Sequence, residues 1–216
     1  MGSDGRLSWM WPRPGSRART GHAGRSVRPR LDPARVADLE CAAWVAYYRR
    51  RWLILLAAAV GLLRAGLGMS WPRTVRAAWF ALRAIQLWAP IPDNDPDGAR
   101  RYLRRFYALI QATHGRPGDP AEAARLEVEW WRVHRVAAQA APGARGELVH
   151  ALVRSYASVF GVTESAVHLA AVHRCRAMEI SDQWVAQGRL RDSQLLALER
   201  AALAQSYAAL LAAVHR

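Results

Sequence analysis

Lysine is absent from this chain: all 31 basic residues are arginine, against 17 acids, for a formal net charge of +14. A basic balance of that size invites a nucleic-acid reading. The missing lysine weakens it, because it fits a GC-rich coding bias in which arginine fills surface positions lysine would otherwise hold. The charge is also unevenly placed. Residues 1–31 carry seven arginines and one acid, a net of +6, which leaves +8 for the remaining 185 residues. Cysteine is scarce as well. Cys41 and Cys175 are the only two, far apart and in neither a metal-ligand nor a redox spacing, so they read as free thiols of a reducing cytoplasm. Ile and Thr are sparse, and no stretch alternates apolar and polar residues between turn signals, which excludes a sheet. With no strand there is no glycine-rich strand-to-helix phosphate loop. The N-terminus lacks a continuous apolar run, which argues against a secretory signal.

What is present is helical. Apolar residues make up 52% of the chain, many of them alanine, which predicts closely approaching helices with Trp and Leu between them. Residues 1–31 mix Arg, Pro, Gly and Ser with few apolar side chains beyond Trp9 and Trp11. They cannot bury enough surface to offset chain entropy, which predicts a disordered tail. Order should begin at Asp32-Pro33, a capping residue followed by Pro at the first helical position. The same device recurs at Asp95-Pro96 and at Asp119-Pro120, the latter with Glu122 completing a capping box. Thr163 and Asp192-Ser193 open two more helices. Stops fall at Gly68, Pro90, Gly115, Pro142-Gly143, Gly161 and Gly188. The expectation is one all-α, bundle-like domain over residues 32–216, of about seven helices: 33–66, 72–89, 96–112, 120–140, 146–160, 164–187 and 193–215.

The first of these changes character midway. Up to Arg51 it is amphipathic; from Trp52 to Leu63 (WLILLAAAVGLL) it is apolar all round. Such a helix belongs in a core or in a membrane. The run is 12 residues, or 21 to Pro72 if Arg64 is tolerated, against roughly 20 for a spanning helix. A mid-span arginine is costly, and arginines flank both ends. A buried central helix is therefore preferred to membrane association through residues 52–72.

Two motifs fail on inspection or stay weak. Asp93-Asn94-Asp95-Pro96-Asp97-Gly98 matches the first half of a calcium loop, but its twelfth position, which needs a bidentate carboxylate, is Arg104. Asp95 and Asp97 fit better as a cap and a first-turn acid. The helix that follows presents Arg100, Arg101, Arg104 and Arg105 outward, while Tyr102, Leu103, Phe106 and Ile110 turn inward. A row of arginines can grip phosphates or anionic headgroups, although most such rows are solvated faces.

Projecting the helices at 100° per residue gives a more specific pattern. Glu40 falls within the stripe Val36, Ala43, Trp44, Tyr47. Gln86 sits among Val75, Trp79 and Leu82. Glu127 and His134 lie along Ala123, Trp130, Trp131 and Ala138. His173 is central to Ala166, Leu169, Ala170, Ala177, Ile180 and Trp184, and Glu199 lies among Leu195, Ala202, Leu203 and Leu210. Buried carboxylates and imidazoles are costly unless paired, so these five ionisable groups are expected to meet. Glu and His facing into a bundle are the material of carboxylate-bridged metal sites, but those sites use a Glu-x-x-His pair that this chain lacks. Glu127 and His134 stand about 10 Å apart along the helix, too far to share one ion readily. A salt-bridge network fixing helix register competes with a functional pocket.

The segments SWPRTVRAAWFALRAIQLWAPIPDNDPDGARRYLRRFYAL and EVEWWRVHR, with the closing helices, resemble helical proteins of high-GC actinobacteria to which no activity is attached. The resemblance implies a folded body behind a separate tail and no functional residues. Two function classes follow from the residues themselves. One is a cytoplasmic bundle that binds a small molecule or a metal in an interior lined by Glu40, Tyr47, Gln86, Glu127, Trp131, His134, His173 and Glu199. The other is an interaction protein whose arginine-rich tail and Arg100–Arg105 face bind an acidic partner, anionic lipid or nucleic acid.

Overall fold

In the computed structural model, residues 32–115, 118–138 and 145–215 are described. The tail over residues 1–31 and the stop at Pro142-Gly143 lie outside them. The described chain is all-α, with no strand. Its eight helices are α1 (Pro33–Tyr48), α2 (Trp52–Leu67), α3 (Trp71–Trp88), α4 (Pro96–His114), α5 (Pro120–Ala137), α6 (Arg145–Phe160), α7 (Glu164–Ala186) and α8 (Leu195–Val214). Each packs chiefly on the helices before and after it, and α8 returns against α1 to close the series.

Three helix starts follow the capping logic; Glu122 pairs with Arg125 instead of closing the expected capping box, and Thr163 makes no side-chain cap. Asp32 and Asp119 each accept from a backbone N–H two residues on, and Asp95 accepts from Gly98 at 2.7 Å, all three with Pro at the helix start. A Cβ on Gly98 would lie 2.1 Å from the Asp95 carboxylate, so this cap requires glycine. Gly68 and Gly115 end α2 and α4 in the left-handed region (φ 60° and 65°), which glycine enters without strain.

Eight helices replace the expected seven because the predicted helix 33–66 is broken at Arg49–Arg51. No Gly or Pro marks the break; Arg50 itself takes φ 57°. Remote carbonyls hold the corner. Arg49 donates to Arg189 O (2.6 Å), Arg189 to Tyr48 O (2.9 Å) and Arg50 to Ala89 O (3.1 Å). The Arg50 guanidinium also lies over Tyr47 and Trp52, each 5.5 Å from the ring centroid. These guanidinium contacts offset the cost of a left-handed arginine.

The core is built from alanine and medium aliphatics. One part joins α6, α7 and the end of α8 around Leu152, Val167, Cys175 and Met178. Another joins α1, α7 and α8 around Trp184 and Leu203. A third joins α3, α4 and α5 around Trp88, Leu103 and Val128.

The expectation of a buried central helix at 52–63 is overturned. Only Leu55 and Leu67 of α2 are buried, and Leu53 is 83% exposed. With α1 on one side and α3 on the other, α2 is an outer helix with an open third side. The inward face assigned to the next helix is also corrected. Val75 and Trp79 are each 48% exposed, and the buried stripe is Ala77, Ala78, Leu82, Ala84 and Trp88. The alanines let α3 approach α4 closely, which leaves the larger side chains outside. Leu169 and Ala138, also expected inside, are exposed.

Candidate functional site

Two features of the molecule carry chemistry: a chain of polar groups between the core regions, and an apolar, arginine-bordered surface on α2 and α3.

The interior begins at Glu40 on α1, which meets Arg174 on α7 in a two-pronged ion pair. One prong measures 2.7 Å between Arg174 Nη1 and Glu40 Oε2, and Nη2 closes the other on Oε1. Tyr207 of α8 donates to the same Oε2 at 2.5 Å. The Trp44 ring covers the guanidinium at 5.1 Å. Burial works against the charge on Arg174, but the facing Glu40, Tyr156 and Tyr207 more than reverse it and hold the guanidinium charged. Its Nε remains without a hydrogen-bond partner.

A second carboxylate, Glu127 on α5, accepts from Trp130 Nε1 (2.9 Å) and from the hydroxyl of Tyr107 on α4 (3.1 Å). Burial raises its pKa, and the Trp130 and Tyr107 hydrogen bonds pull it back. Tyr107 in turn is pushed well above the ordinary phenol range, first by burial and then by Glu127. His134, two turns further along α5, faces Asp182 of α7 at 3.1 Å. Glu199 on α8 is fully buried, its carboxylate has no nitrogen or oxygen hydrogen-bond partner, and the Cys41 thiol is its polar neighbour. Burial raises its pKa to about 8, with the Cys41 thiol pulling the other way and Glu40 adding to the rise. Cys41 is itself pushed up to about 12, chiefly by burial, so the thiol is not a nucleophile at neutral pH.

Three of the five ionisable groups lie around Arg174: Glu40 is bonded to it, and Glu127 and Glu199 both feel its charge. Glu40, Glu127 and His134 each have their own bonded partner on another helix, while Glu199 neighbours Cys41 and Glu40. His173 is partly buried and bonds to none of the others. Gln86 lies elsewhere, accepting from Arg83 at 2.6 Å. Tyr47 belongs to the α1–α2 corner, edge-on to Tyr48 at 5.1 Å. Trp131 packs against Trp88 (5.8 Å) and Trp130 (6.0 Å). Among the described residues no group of three or more His, Cys, Asp or Glu side chains could hold a metal ion. Arg174, Tyr107 and Tyr207 escaped the sequence reading. Their signal was present: Arg174 lies four residues after buried Ala170 and four before buried Met178, on the face where Glu40 needed a cation.

On α4, half of the arginine row is already engaged. Arg100 pairs with Asp97 (2.6 Å) and Arg101 with Asp95 (3.5 Å). Arg105 lies over Tyr102, and Arg104 is exposed. Asp95 and Asp97 serve as cap and ion-pair partner, which accounts for the half-formed calcium motif.

The surface on α2 and α3 is different. Leu53 (83% exposed), Ile54 and Ala57 line the outside of α2, and Trp71 (60%), Val75 and Trp79 line that of α3. A shallow groove of about 550 Å³, lined by Leu56, Trp71, Pro72, Val75, Arg76 and Trp79, runs between the two helices. Arg64 lies over Trp71 at 4.7 Å, and Arg76 over Phe80 at 5.5 Å. From Cys41 to Pro92 the chain carries seven arginines and no Asp or Glu. Exposed apolar side chains gathered along a groove are candidates for an interaction site.

Among the described residues one helix, α8, is long and apolar enough to cross a membrane; it carries Glu199 and Arg200 and packs on α7 and α1. Comparison with protein-family models, with curated proteins and with solved structures finds no match to this chain.

Proposed function

We propose that the chain is a binding module rather than an enzyme, and that it works through the outer face of α2 and α3. One observation carries the reading: a 16-residue helix that is apolar all round, save Arg64, buries only Leu55 and Leu67, and its Leu56 shares a groove with exposed Trp71, Val75 and Trp79. An apolar helix left outside a folded core is costly unless something covers it. In this reading the interior polar chain is a register device. Glu40–Arg174–Tyr207 ties α1, α7 and α8, while Glu127–Tyr107 ties α5 to α4.

The test is a pair of measurements on the full chain and its Leu53→Ser/Trp79→Ser variant. Exposed positions should tolerate the change, so the two proteins should melt within a few degrees of one another. In cell extract the parent should migrate in bound form and the variant as the free 24 kDa chain. A large loss of stability in the variant would mean the face is covered from within, and identical migration would mean it binds nothing.

A second reading, of an interior that takes a small ligand, is favoured by the orphaned Glu199 carboxylate and Arg174 Nε. Native mass spectrometry of the purified chain tests it. A stoichiometric small molecule, lost in Glu199→Gln, supports an interior ligand; a clean apo mass in the parent removes it.

A further inference from the structure

We infer that the partner of the α2–α3 face is the surface of an anionic lipid bilayer, on which the two helices lie in the interfacial plane. The inference rests on the binding-module reading above and names its occupant.

Three observations select lipid. The first is charge. Arg64, Arg73 and Arg76 border the face, and the segment from Cys41 to Pro92 that contains it holds no acid. A second copy docked on the same face would set these arginines against their equivalents, and like charges in apposition are repulsive. Residues 1–31, with a net charge of +6, are repelled from the face for the same reason. An anionic headgroup layer is the complementary surface.

The second is the placement of side-chain types. On α2, Leu53, Leu56 and Val60 recur at helical spacing, and Arg64 completes the same row. On α3, Trp71, Val75 and Trp79 recur every four residues, with Arg76 beside them in the groove. Trp is the residue enriched at the level of the headgroups, where its ring is apolar and its N–H wet. Arg73 and Arg76 are exposed at the border, where an arginine stem can lie on apolar surface while its guanidinium meets a phosphate.

The third is length. Sixteen residues rise about 24 Å, short of the roughly 30 Å hydrocarbon core, and Arg64 stands in the last turn. The helix therefore lies on the bilayer rather than across it.

The experiment is vesicle flotation of the full-length chain. The probes are pure phosphatidylcholine vesicles and mixed phosphatidylcholine–phosphatidylglycerol vesicles, at 0.1 M and 1 M salt. The proteins are the parent, Leu53→Ser/Trp79→Ser and Arg73→Glu/Arg76→Glu, each checked for an unchanged melting temperature. The parent should float with the anionic vesicles and not with the neutral ones. Binding should fall steeply at 1 M salt, where the screening length shortens from about 10 Å to about 3 Å. Loss of the two arginines should weaken binding by about 25-fold, at roughly fivefold each, and charge reversal adds to that. The apolar variant should float less at both salt levels.

Anionic-vesicle binding that neither variant disturbs would place the contact elsewhere and overturn the inference. Equal binding to neutral vesicles would overturn its electrostatic half. Absence of vesicle binding, with association in extract still abolished by Leu53→Ser/Trp79→Ser, would overturn lipid as the occupant and leave the binding-module reading standing. Absence of both would overturn the two together.

Discussion

Replacing Glu199 by glutamine should make the stability of this protein less dependent on pH, with a sign and a window set by the structure. The carboxylate is fully buried with only the Cys41 thiol as polar neighbour, and its pKa is raised from 4.5 to about 8, mainly by burial. In the unfolded chain it titrates near its ordinary value. Between the two pKa values the folded state binds the proton and the unfolded state does not, so stability falls as pH rises. The contribution is fully present below about pH 4.5, declines through neutrality and is lost above about pH 8. At about 1.36 kcal/mol per unit, the whole span is worth about 4–5 kcal/mol as an upper figure. Glutamine cannot ionise. Its unpaired amide has a cost of its own, but that cost does not change with pH. The difference in unfolding free energy between the variant and the parent should therefore grow in the variant's favour from pH 4.5 to pH 8 and then level off. Urea unfolding at half-unit pH intervals reads it directly. Cys41 does not confuse the result, because its thiol stays protonated through this range. A difference that stays constant across the window would refute the reasoning, since it would mean that Glu199 ionises in the fold as it does in water.

Arg174→Met should strand Glu40 beside Tyr207 alone and lower stability by about 3–5 kcal/mol, a drop of roughly 6–20 °C in Tm for a domain of this size. The Glu40→Met/Arg174→Met double variant should recover part of that loss, and calorimetry of the three proteins separates a costly orphaned charge from a net-stabilising pair. Tyr107→Phe removes one of two donors to Glu127 and should cost about 1.5–3 kcal/mol, the range of a hydrogen bond to a charged group. Thermal melts check this, and a smaller loss would indicate that Trp130 alone satisfies the carboxylate.

Where the chain announces its own geometry, sequence and structure agree. Asp32-Pro33, Asp95-Pro96 and Asp119-Pro120 each open a helix, because cap chemistry and the fixed φ of proline are local. The all-α class follows from the same residues. The break at Arg49–Arg51 was not legible, because it depends on carbonyls supplied by Ala89 and Arg189, 39 and 140 positions away. Helix faces made of alanine misled in the same way. On α3 the wide stripe of Val75 and Trp79 outweighs Ala77, Ala78 and Ala84 in any hydrophobic projection, yet close helix approach selects the alanines. For the interior, projection located Glu40 and Glu127 but not their partners on other helices. An arginine or tyrosine on an inward face looks like a surface residue until a facing carboxylate is known. The apolar run of α2 posed a choice between core and membrane. The fold answers that choice by leaving the helix outside the core, a result that no local pattern contains.

The working surface proposed for this chain is the outer face of α2 and α3. Hydroxyl-radical footprinting of the full chain, free and bound to anionic vesicles, tests it most directly. Protection concentrated at Leu53, Trp71 and Trp79, with Tyr102 and the arginine face of α4 unchanged, is the predicted result. Protection centred on α4 or on residues 1–31, with Trp71 and Trp79 equally reactive in both states, would contradict it.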